Sequence, residues 1–158
     1  MPAPSKEILD ILGLDLFPYE RRKLVQGRDI EDIPENEKLL VETEFLYNAT
    51  DNGLPPSPYT VLNFDPSNPP LDHRYLWVLT SKCLFIVLEK IGPKTIKHTN
   101  ITAGGKAIAG GELWFEFPRR VYINGQSGRY GYLNERAWET VIFYFNSIGY
   151  EAVSIEKM

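Results

Sequence analysis

Two short segments place polar side chains among glycines, and they are the chain's strongest candidates for chemistry. The first, residues 96–113, contains the pairs Gly104-Gly105 and Gly110-Gly111. Glycine lets a backbone take positive φ and approach a ligand closely, and backbone N–H groups at such turns can hold an anion. A helix through these glycines would lose about 1 kcal/mol at each of them. The segment therefore predicts a loop or bulged crossing that binds a ligand.

The same segment holds two candidates for acid–base chemistry. His98 stands beside Thr99 and Asn100, where it could transfer a proton or serve as a hydrogen-bonded structural histidine. Glu112 follows the second glycine pair and is the other candidate. If its strand alternates regularly, Glu112 faces away from Leu113, toward solvent or a cleft.

The second segment, residues 124–131, offers an amide, a hydroxyl, a guanidinium and a phenol. Arg129 could bind a phosphate or carboxylate through two hydrogen bonds, with Ser127 beside it. Tyr130 could stack on a base or donate a hydrogen bond. The alternative is an ordinary strand-to-helix connection in which Arg129 pairs with a nearby acid.

Composition excludes several function classes. The formal net charge is −4, and the longest basic runs are the pairs Arg21-Arg22 and Arg119-Arg120, which argues against broad nucleic-acid contact. One cysteine permits no intrachain disulfide, and with two histidines it argues against a zinc site. Cys83, in an apolar run, predicts a buried structural thiol. His73, in a proline-rich loop, predicts a surface residue.

No common catalytic motif is present. The chain has no P-loop, no G-x-S-x-G, no H-E-x-x-H and no C-x-x-C, so we expect no cofactor. The polar start and the lack of a long apolar stretch predict no membrane span. Cytoplasmic residence is the expectation, with delivery by a specialised secretion system as the alternative.

The first half of the chain gives mixed signals for the elements that would carry these residues. Residues 5–12 predict a helix with Ser5 as N-cap and Gly13 as stop. Alternating apolar residues over 37–47 favour a strand, although the acidic start would also suit a helix. Residues 59–64 predict another strand.

The second half is patterned more clearly. Residues 75–79 and 83–89 predict a hairpin, and further strands are predicted at 95–100, 111–117 and 120–124, the last two flanking a turn at Pro118-Arg119. Residues 134–148 predict the longest helix, with Asn134 as N-cap and a returning strand at 150–155. The pattern predicts an α+β fold: a mainly antiparallel sheet packed against one long C-terminal helix, with an N-terminal helical extension. We expect a single domain over 1–158, with residues 1–58 packed on a body formed by 59–158.

An ordered set of short motifs resembles a known family. The set comprises Leu76-Trp77-Val78-Leu79-Thr80-Ser81-Lys82, His98-Thr99-Asn100, Ala103-Gly104-Gly105, Ala109-Gly110-Gly111-Glu112-Leu113 and Ser127-Gly128-Arg129-Tyr130. It resembles the C-terminal part of the plant calmodulin-binding IQ-motif proteins of the M type, and similar segments of bacterial effector-like and toxin-associated proteins. The resemblance runs from Tyr75 to Ile155.

The resemblance implies a shared site and no particular reaction. The chain has no IQ motif, so calmodulin binding is not implied. Arg129 stands where the family pattern has a histidine, and because arginine stays protonated, acid–base chemistry at that position is not implied either. The implied site comprises His98, Gly104-Gly105, the segment from Gly110 to Glu112, and the segment from Ser127 to Tyr130.

Three functions follow as hypotheses. The first is a small-molecule site for an anionic or nucleotide-like ligand, in which His98 and Glu112 would be acid–base groups if catalysis occurs. The second is a protein-interaction, immunity or regulatory module, suggested by the many aromatic residues and the absence of a catalytic motif. The third, from the resemblance alone, is a toxin acting on a nucleotide or NAD.

Overall fold

The structure is a computed structural model that describes residues 3–27, 32–53, 59–116, 120–131 and 133–155. The fold is α+β. The helices are α1 (Lys6–Leu12), α2 (Glu20–Gln26), α3 (Ala49–Asn52), α4 (His98–Thr102) and α5 (Glu135–Ser147). The strands are β1 (Tyr47–Asn48), β2 (Tyr75–Leu79), β3 (Leu84–Leu88), β4 (Lys90–Ile91), β5 (Lys94–Thr95), β6 (Ala109–Glu116), β7 (Arg120–Ile123) and β8 (Glu151–Ser154).

Six strands form one sheet in the order β1-β3-β2-β6-β7-β8. All neighbouring pairs are antiparallel except β7 and β8, which are parallel because α5 carries the chain across between them. β4 and β5 form a separate small hairpin. The predicted hairpin, long helix and returning strand are confirmed.

The long helix covers one face of the sheet. The Asn134 side chain caps α5 by accepting a hydrogen bond from the N–H of Ala137 at 2.8 Å. Its buried stripe packs on alternate strand residues such as Trp77 and Leu113 and on α1. This layer holds the larger core, because one face of each strand and one stripe of the helix are apolar.

The opposite face of the sheet is covered by α4 and by loops. Val78, Ile101 and Tyr130 belong to the smaller core on this side. Glu112 pairs across the strands with Leu76 on the same face, whereas Leu113 points to α5. The predicted alternation at Glu112 is confirmed, and it directs the carboxylate away from the long helix.

The N-terminal segment contacts the body at several points. Ser5 caps α1 and Gly13 ends it, as predicted. The Arg21 guanidinium donates to the carbonyl of Ile108 at 2.7 Å, and the N–H of Val41 donates to the carbonyl of Asn100 at 2.9 Å. α1 thus packs beside α5 on one side of the sheet, whereas the stretch around Val41 is held on the side that carries α4.

Three predicted strands are wrong. Residues 37–47 form 3-10 turns at Glu35–Glu37 and Thr43–Phe45 before the short β1, and residues 59–64 contribute only one bridge, from Thr60 to Phe115. Residues 95–100 lead into α4, because the Asn100 side chain accepts from the N–H of Lys97 and favours a helix start there.

The glycine-rich segment divides between two structures. Gly104 and Gly105 lie in the loop after α4, but Gly110 and Gly111 lie inside β6, so the loop prediction is wrong for the second pair. The predicted turn at Pro118-Arg119 lies outside the described residues. No helix in the described part of the chain has the length and apolar character needed to cross a membrane.

Candidate functional site

The second glycine pair makes room for neighbouring side chains. A Cβ added at Gly111 would stand 1.9 Å from the carbonyl oxygen of Asn124 and 2.7 Å from the indole nitrogen of Trp77. That indole donates to the same carbonyl at 3.0 Å. A Cβ at Gly110 would stand 2.9 Å from Cδ2 of His98. The two glycines therefore allow the imidazole and β7 to lie directly against β6.

His98 is a buried, neutral histidine. Its Nε2 lies 2.9 Å from the carbonyl oxygen of Gly111. Burial lowers the pKa of His98 from 6.5 to about 4, so the ring is uncharged at neutral pH. Because a carbonyl only accepts, Nε2 carries the proton and donates a hydrogen bond to the carbonyl oxygen of Gly111. The imidazole therefore holds β6 in place and has no second proton to give at neutral pH.

Arg129 forms an ion pair with a residue from the N-terminal segment. Its Nε and Nη2 donate to the two carboxylate oxygens of Glu37 at 2.8 and 3.0 Å. The Thr99 hydroxyl donates to Glu37 at 3.1 Å. The hydrogen bond from Arg129 is the main reason that the pKa of Glu37 lies below its ordinary value. The pairing of Arg129 with a nearby acid, the alternative considered from the sequence, is therefore present.

Tyr130 has its ring inside the smaller core. The ring is 2% exposed, and its hydroxyl donates to the carbonyl of Gly105 at 2.8 Å and lies 2.7 Å from the Thr102 hydroxyl. Burial raises the pKa of Tyr130 to about 12. The Ser127 hydroxyl accepts from the N–H of Tyr130 at 3.2 Å. The ring presents no exposed face on which a base could stack.

Thr99, Asn100 and Gly104 contact the N-terminal segment. The Asn100 amide donates to the carbonyls of Asn36 and Leu39, both at 2.9 Å. Gly104 has φ +78°, and the side chain of Lys38 packs where its Cβ would be. These residues hold in place the stretch of backbone that carries Glu37, and they do not line the cleft that contains His98 and Arg129.

One cleft collects the remaining candidates. It has a volume of about 230 Å³ and lies on the sheet face that carries α4. His98, Glu112 and Arg129 line it together with Arg74, Glu89, Lys97 and Gln126. The fold therefore brings together one candidate from each sequence segment and the acid at the second glycine pair.

Arg74 and Glu89 were not predicted as site residues. The Arg74 guanidinium donates to both oxygens of Glu89, at 3.0 Å for Oε2, and its Nη1 lies 3.1 Å from Oε2 of Glu112. Oε1 of Glu112 accepts from the Asn124 amide at 3.0 Å. A sequence signal was available, because Arg74 directly precedes the predicted hairpin and Glu89 is its last residue, and these two ends meet in an antiparallel pair.

A second cleft continues the first. It has a volume of about 290 Å³ and shares Arg74, Glu112 and Gln126 with the polar cleft. Its other walls are less polar and are formed by Pro66, Pro69, Trp114 and Ile155, among others. Glu112 and Arg74 thus stand where a polar compartment meets a partly apolar one.

The chain's other reactive side chains lie away from this cleft. Cys83 is half-buried rather than fully buried as predicted, and burial raises the pKa of its thiol, which disfavours the nucleophilic thiolate. His73 is exposed, as predicted, and stacks on Tyr59 with ring centroids 5.1 Å apart. Within the described residues, no three His, Cys, Asp or Glu side chains are grouped so as to hold a metal ion.

Comparison with known proteins found no matching family model, curated protein or solved structure. The resemblance drawn from the motifs therefore stays a prediction, and the function is inferred from the geometry of the cleft.

Proposed function

We propose that the chain binds a small ligand carrying an anionic group, a phosphate or carboxylate, in the polar cleft beside Lys97. The observation that supports this is the charge of Lys97. Its side chain is exposed at the cleft wall, and no carboxylate of the described residues lies within ion-pair distance of its ammonium group. An ammonium without a counter-ion beside a second cation is a ready partner for an anion.

Arg129 strengthens the positive character of this end of the cleft. Both Arg129 and Lys97 act to lower the pKa of His98, which places their charges near the imidazole. Arg129 also lines the cleft, so its positive charge stays close to a ligand even though its Nε and Nη2 donate to Glu37. An anion beside Lys97 would then meet two cations, of which one is already partly neutralised.

The volume of the cleft restricts the ligand. Pockets for drug-sized molecules run from about 300 to 1,000 Å³. The polar cleft is smaller, so it suits a compact molecule or the charged end of a longer one that extends past Glu112 into the second cleft. A phosphate, a small carboxylate and the phosphate end of a nucleotide all meet this limit.

The proposal concerns binding and assigns no reaction. His98 is neutral and hydrogen-bonded to Gly111, so at neutral pH it cannot act as a general acid. Glu112 has partners on both oxygens, Arg74 and Asn124, and these contacts suit a carboxylate that positions a ligand. Turnover of any ligand that binds would have to be tested separately.

The test is a thermal-shift screen followed by calorimetric titration. The panel holds phosphate, small carboxylates, amino acids, sugar phosphates, nucleotides, cyclic nucleotides, NAD and ADP-ribose. A ligand at about 100 times its dissociation constant should add roughly 2.7 kcal/mol of stability. We expect Lys97→Gln to weaken binding about tenfold, a change of ~1.4 kcal/mol.

The matched control is Lys82→Gln, because Lys82 is an exposed lysine in the hairpin turn and does not line the cleft. Binding should be unchanged in that variant. A panel without any response, or binding that survives Lys97→Gln at full strength, would contradict the proposal.

A second candidate function rests on an apolar groove elsewhere on the surface. The groove has a volume of about 630 Å³ and is lined chiefly by Val41, Phe45, Ile91 and Pro93. Phe45 is 42% exposed. Such a groove fits an apolar side chain of a partner protein.

Charge narrows the chemistry of that partner. Glu42 lies on the rim of the groove, and its carboxylate hydrogen-bonds Glu44 and raises the pKa of Glu44. Lys94 also lines the groove, but the two carboxylates outnumber it and favour a second cation, so the occupant would be a peptide segment with an apolar side chain beside a lysine or arginine. Fluorescent peptides of that type should lose binding to Phe45→Ala and keep it with Phe143→Ala, an exposed phenylalanine on α5. Equal binding by both variants would rule this candidate out.

A further inference from the structure

The polar cleft carries unbalanced charge at the end that contains Arg74. One guanidinium faces two carboxylates, those of Glu89 and Glu112. Glu89 is 8% exposed, and the side chain of Glu112 is 18% exposed. By formal charge, these three side chains carry one more negative than positive charge in a place that water reaches poorly.

The other end has the opposite imbalance. Lys97 and Arg129 are two cations; Arg129 forms an ion pair with Glu37, and Lys97 acts on Glu37 only through its electrostatic field. His98, in the same wall, contributes no charge at neutral pH. The cleft therefore contains one cation beyond the Arg129–Glu37 pair, Lys97, and one carboxylate more than Arg74 can balance, shared between Glu89 and Glu112.

The carboxylate of Glu112 has capacity left for a ligand. Each of its oxygens has a protein partner, Oε2 with Arg74 and Oε1 with Asn124. An ionised carboxylate offers about four lone-pair sites, so further donors can be accepted. Glu89, by contrast, is held on both oxygens by Arg74 alone. Glu112 lines both clefts whereas Glu89 lines only the polar one, and the side chain of Glu112 is the more exposed of the two, so it is the acid that a ligand reaches more easily.

We infer that the ligand is bipolar: besides the anionic group held near Lys97, it carries a hydrogen-bond-donating group, an amino group or a hydroxyl, that binds Glu112. This inference rests on the proposed function and specifies its ligand. The physical reason is that a partly buried excess charge is costly unless a partner compensates it, and a donor at Glu112 supplies that partner.

Two kinds of molecule share this chemistry. An amino acid has both groups within a length that suits the polar cleft. A sugar phosphate or nucleotide has its anion and its hydroxyls further apart and would continue toward Trp114 and the prolines of the second cleft. The two sources differ in the donor, which is an ammonium group in one and a hydroxyl pair in the other.

The experiment compares ligands that differ only in the donor. One pair is an amino acid and its deaminated carboxylic acid, for example glutamate and glutarate. The other is a nucleoside monophosphate and its 2′,3′-dideoxy analogue. Affinities are measured by calorimetry on the whole chain, together with Glu112→Gln and the control Glu139→Gln, an exposed glutamate on α5.

We expect at least one donor-bearing ligand to bind about tenfold more tightly than its analogue. In Glu112→Gln this preference should fall to about twofold, whereas the analogue should bind equally well or more tightly, because it has no donor for Glu112 and the cleft has lost one negative charge. Glu139→Gln should behave as the unchanged protein. The ligand pair that shows the preference identifies the source of the donor.

The outcomes separate this inference from the proposed function. If anionic ligands bind and depend on Lys97 but show no preference for a donor, the bipolar ligand is wrong and the anion site stands. If no member of either pair binds while another anion of the panel does, the bipolar ligand is wrong and the anion site stands, and if nothing in the panel binds, both are wrong. If Glu112→Gln does not fold, the comparison of each pair on the unchanged protein still decides, because equal affinities alone refute the inference.

Discussion

The substitution Gly111→Ala tests the close approach on which the site is built. The new Cβ would stand 1.9 Å from the Asn124 carbonyl oxygen and 2.7 Å from the Trp77 indole nitrogen. The first contact is with backbone, so no side-chain rotation can relieve it. β6 and the chain after β7 must therefore separate, and the buried hydrogen bond from Trp77 to Asn124 would break.

The cost can be estimated from these two effects. Overpacking in a well-packed interior costs about 1–3 kcal/mol, and a buried donor left without its partner costs about 1–3 kcal/mol more. We expect a loss of about 2–6 kcal/mol, which for a domain of this size lowers the melting temperature by at least roughly 4 °C. Urea unfolding gives the free energy, and a calorimetric scan gives the melting temperature.

Gly128→Ala is the matched control. A Cβ at Gly128 would have no atom within 4 Å, and its φ lies outside the positive range. The substitution should change stability by less than about 1 kcal/mol, with a small gain expected from the stiffer unfolded chain. Gly111→Ala as stable as Gly128→Ala would refute the close approach of β6 to Asn124 and, with it, the position of His98 on β6.

Three pH-linked predictions concern buried groups. The pKa of His98 falls from 6.5 to about 4 on folding, so stability should decline by up to about 3 kcal/mol as pH drops through this window, and His98→Gln should flatten the decline in urea unfolding. Arg129→Met should lower the free energy of unfolding by about 2 kcal/mol at neutral pH. The unchanged protein should lose the same stability only when Glu37 is protonated in acid, so the two proteins should differ in how their stability falls with pH. The same acid profile for both proteins would contradict the ion pair. The pKa of Tyr130 rises from 10.0 to about 12, so stability should fall as pH rises between these values, and Tyr130→Phe should lose that dependence in alkaline unfolding.

The better-patterned elements could be predicted from the sequence. The stripe and cap of α5 and the hairpin of β2 and β3 are local signals, since neighbours in the chain decide them. Residues 37–47 misled because Val41 is buried from the irregular stretch between two 3-10 turns, where an apolar residue packs without belonging to a strand. At α4, the Asn100 side chain accepts a hydrogen bond from the N–H of Lys97, a group that would bond to a neighbouring strand if the segment were extended. Alternation of apolar residues does not detect such a local hydrogen bond.

The candidate site could be predicted only in part. Residue types pointed to His98, Glu112 and Arg129, and the structure places all three around one cleft. The residue types did not reveal that Arg129 is paired with Glu37. That partner lies far away in the sequence, in a segment whose alternation predicts a strand.

The sequence alone determined the fold class, the long capped helix, and the direction in which Glu112 points, because periodicity and capping are properties of neighbouring residues. Only the tertiary structure decided the state of the site. His98 is neutral because other segments bury it, Tyr130 is closed off because the smaller core surrounds it, and Arg74 faces two acids because β2 lies between β3 and β6. Burial and charge pairing depend on residues distant in the chain, and for that reason they appear only when the chain is folded.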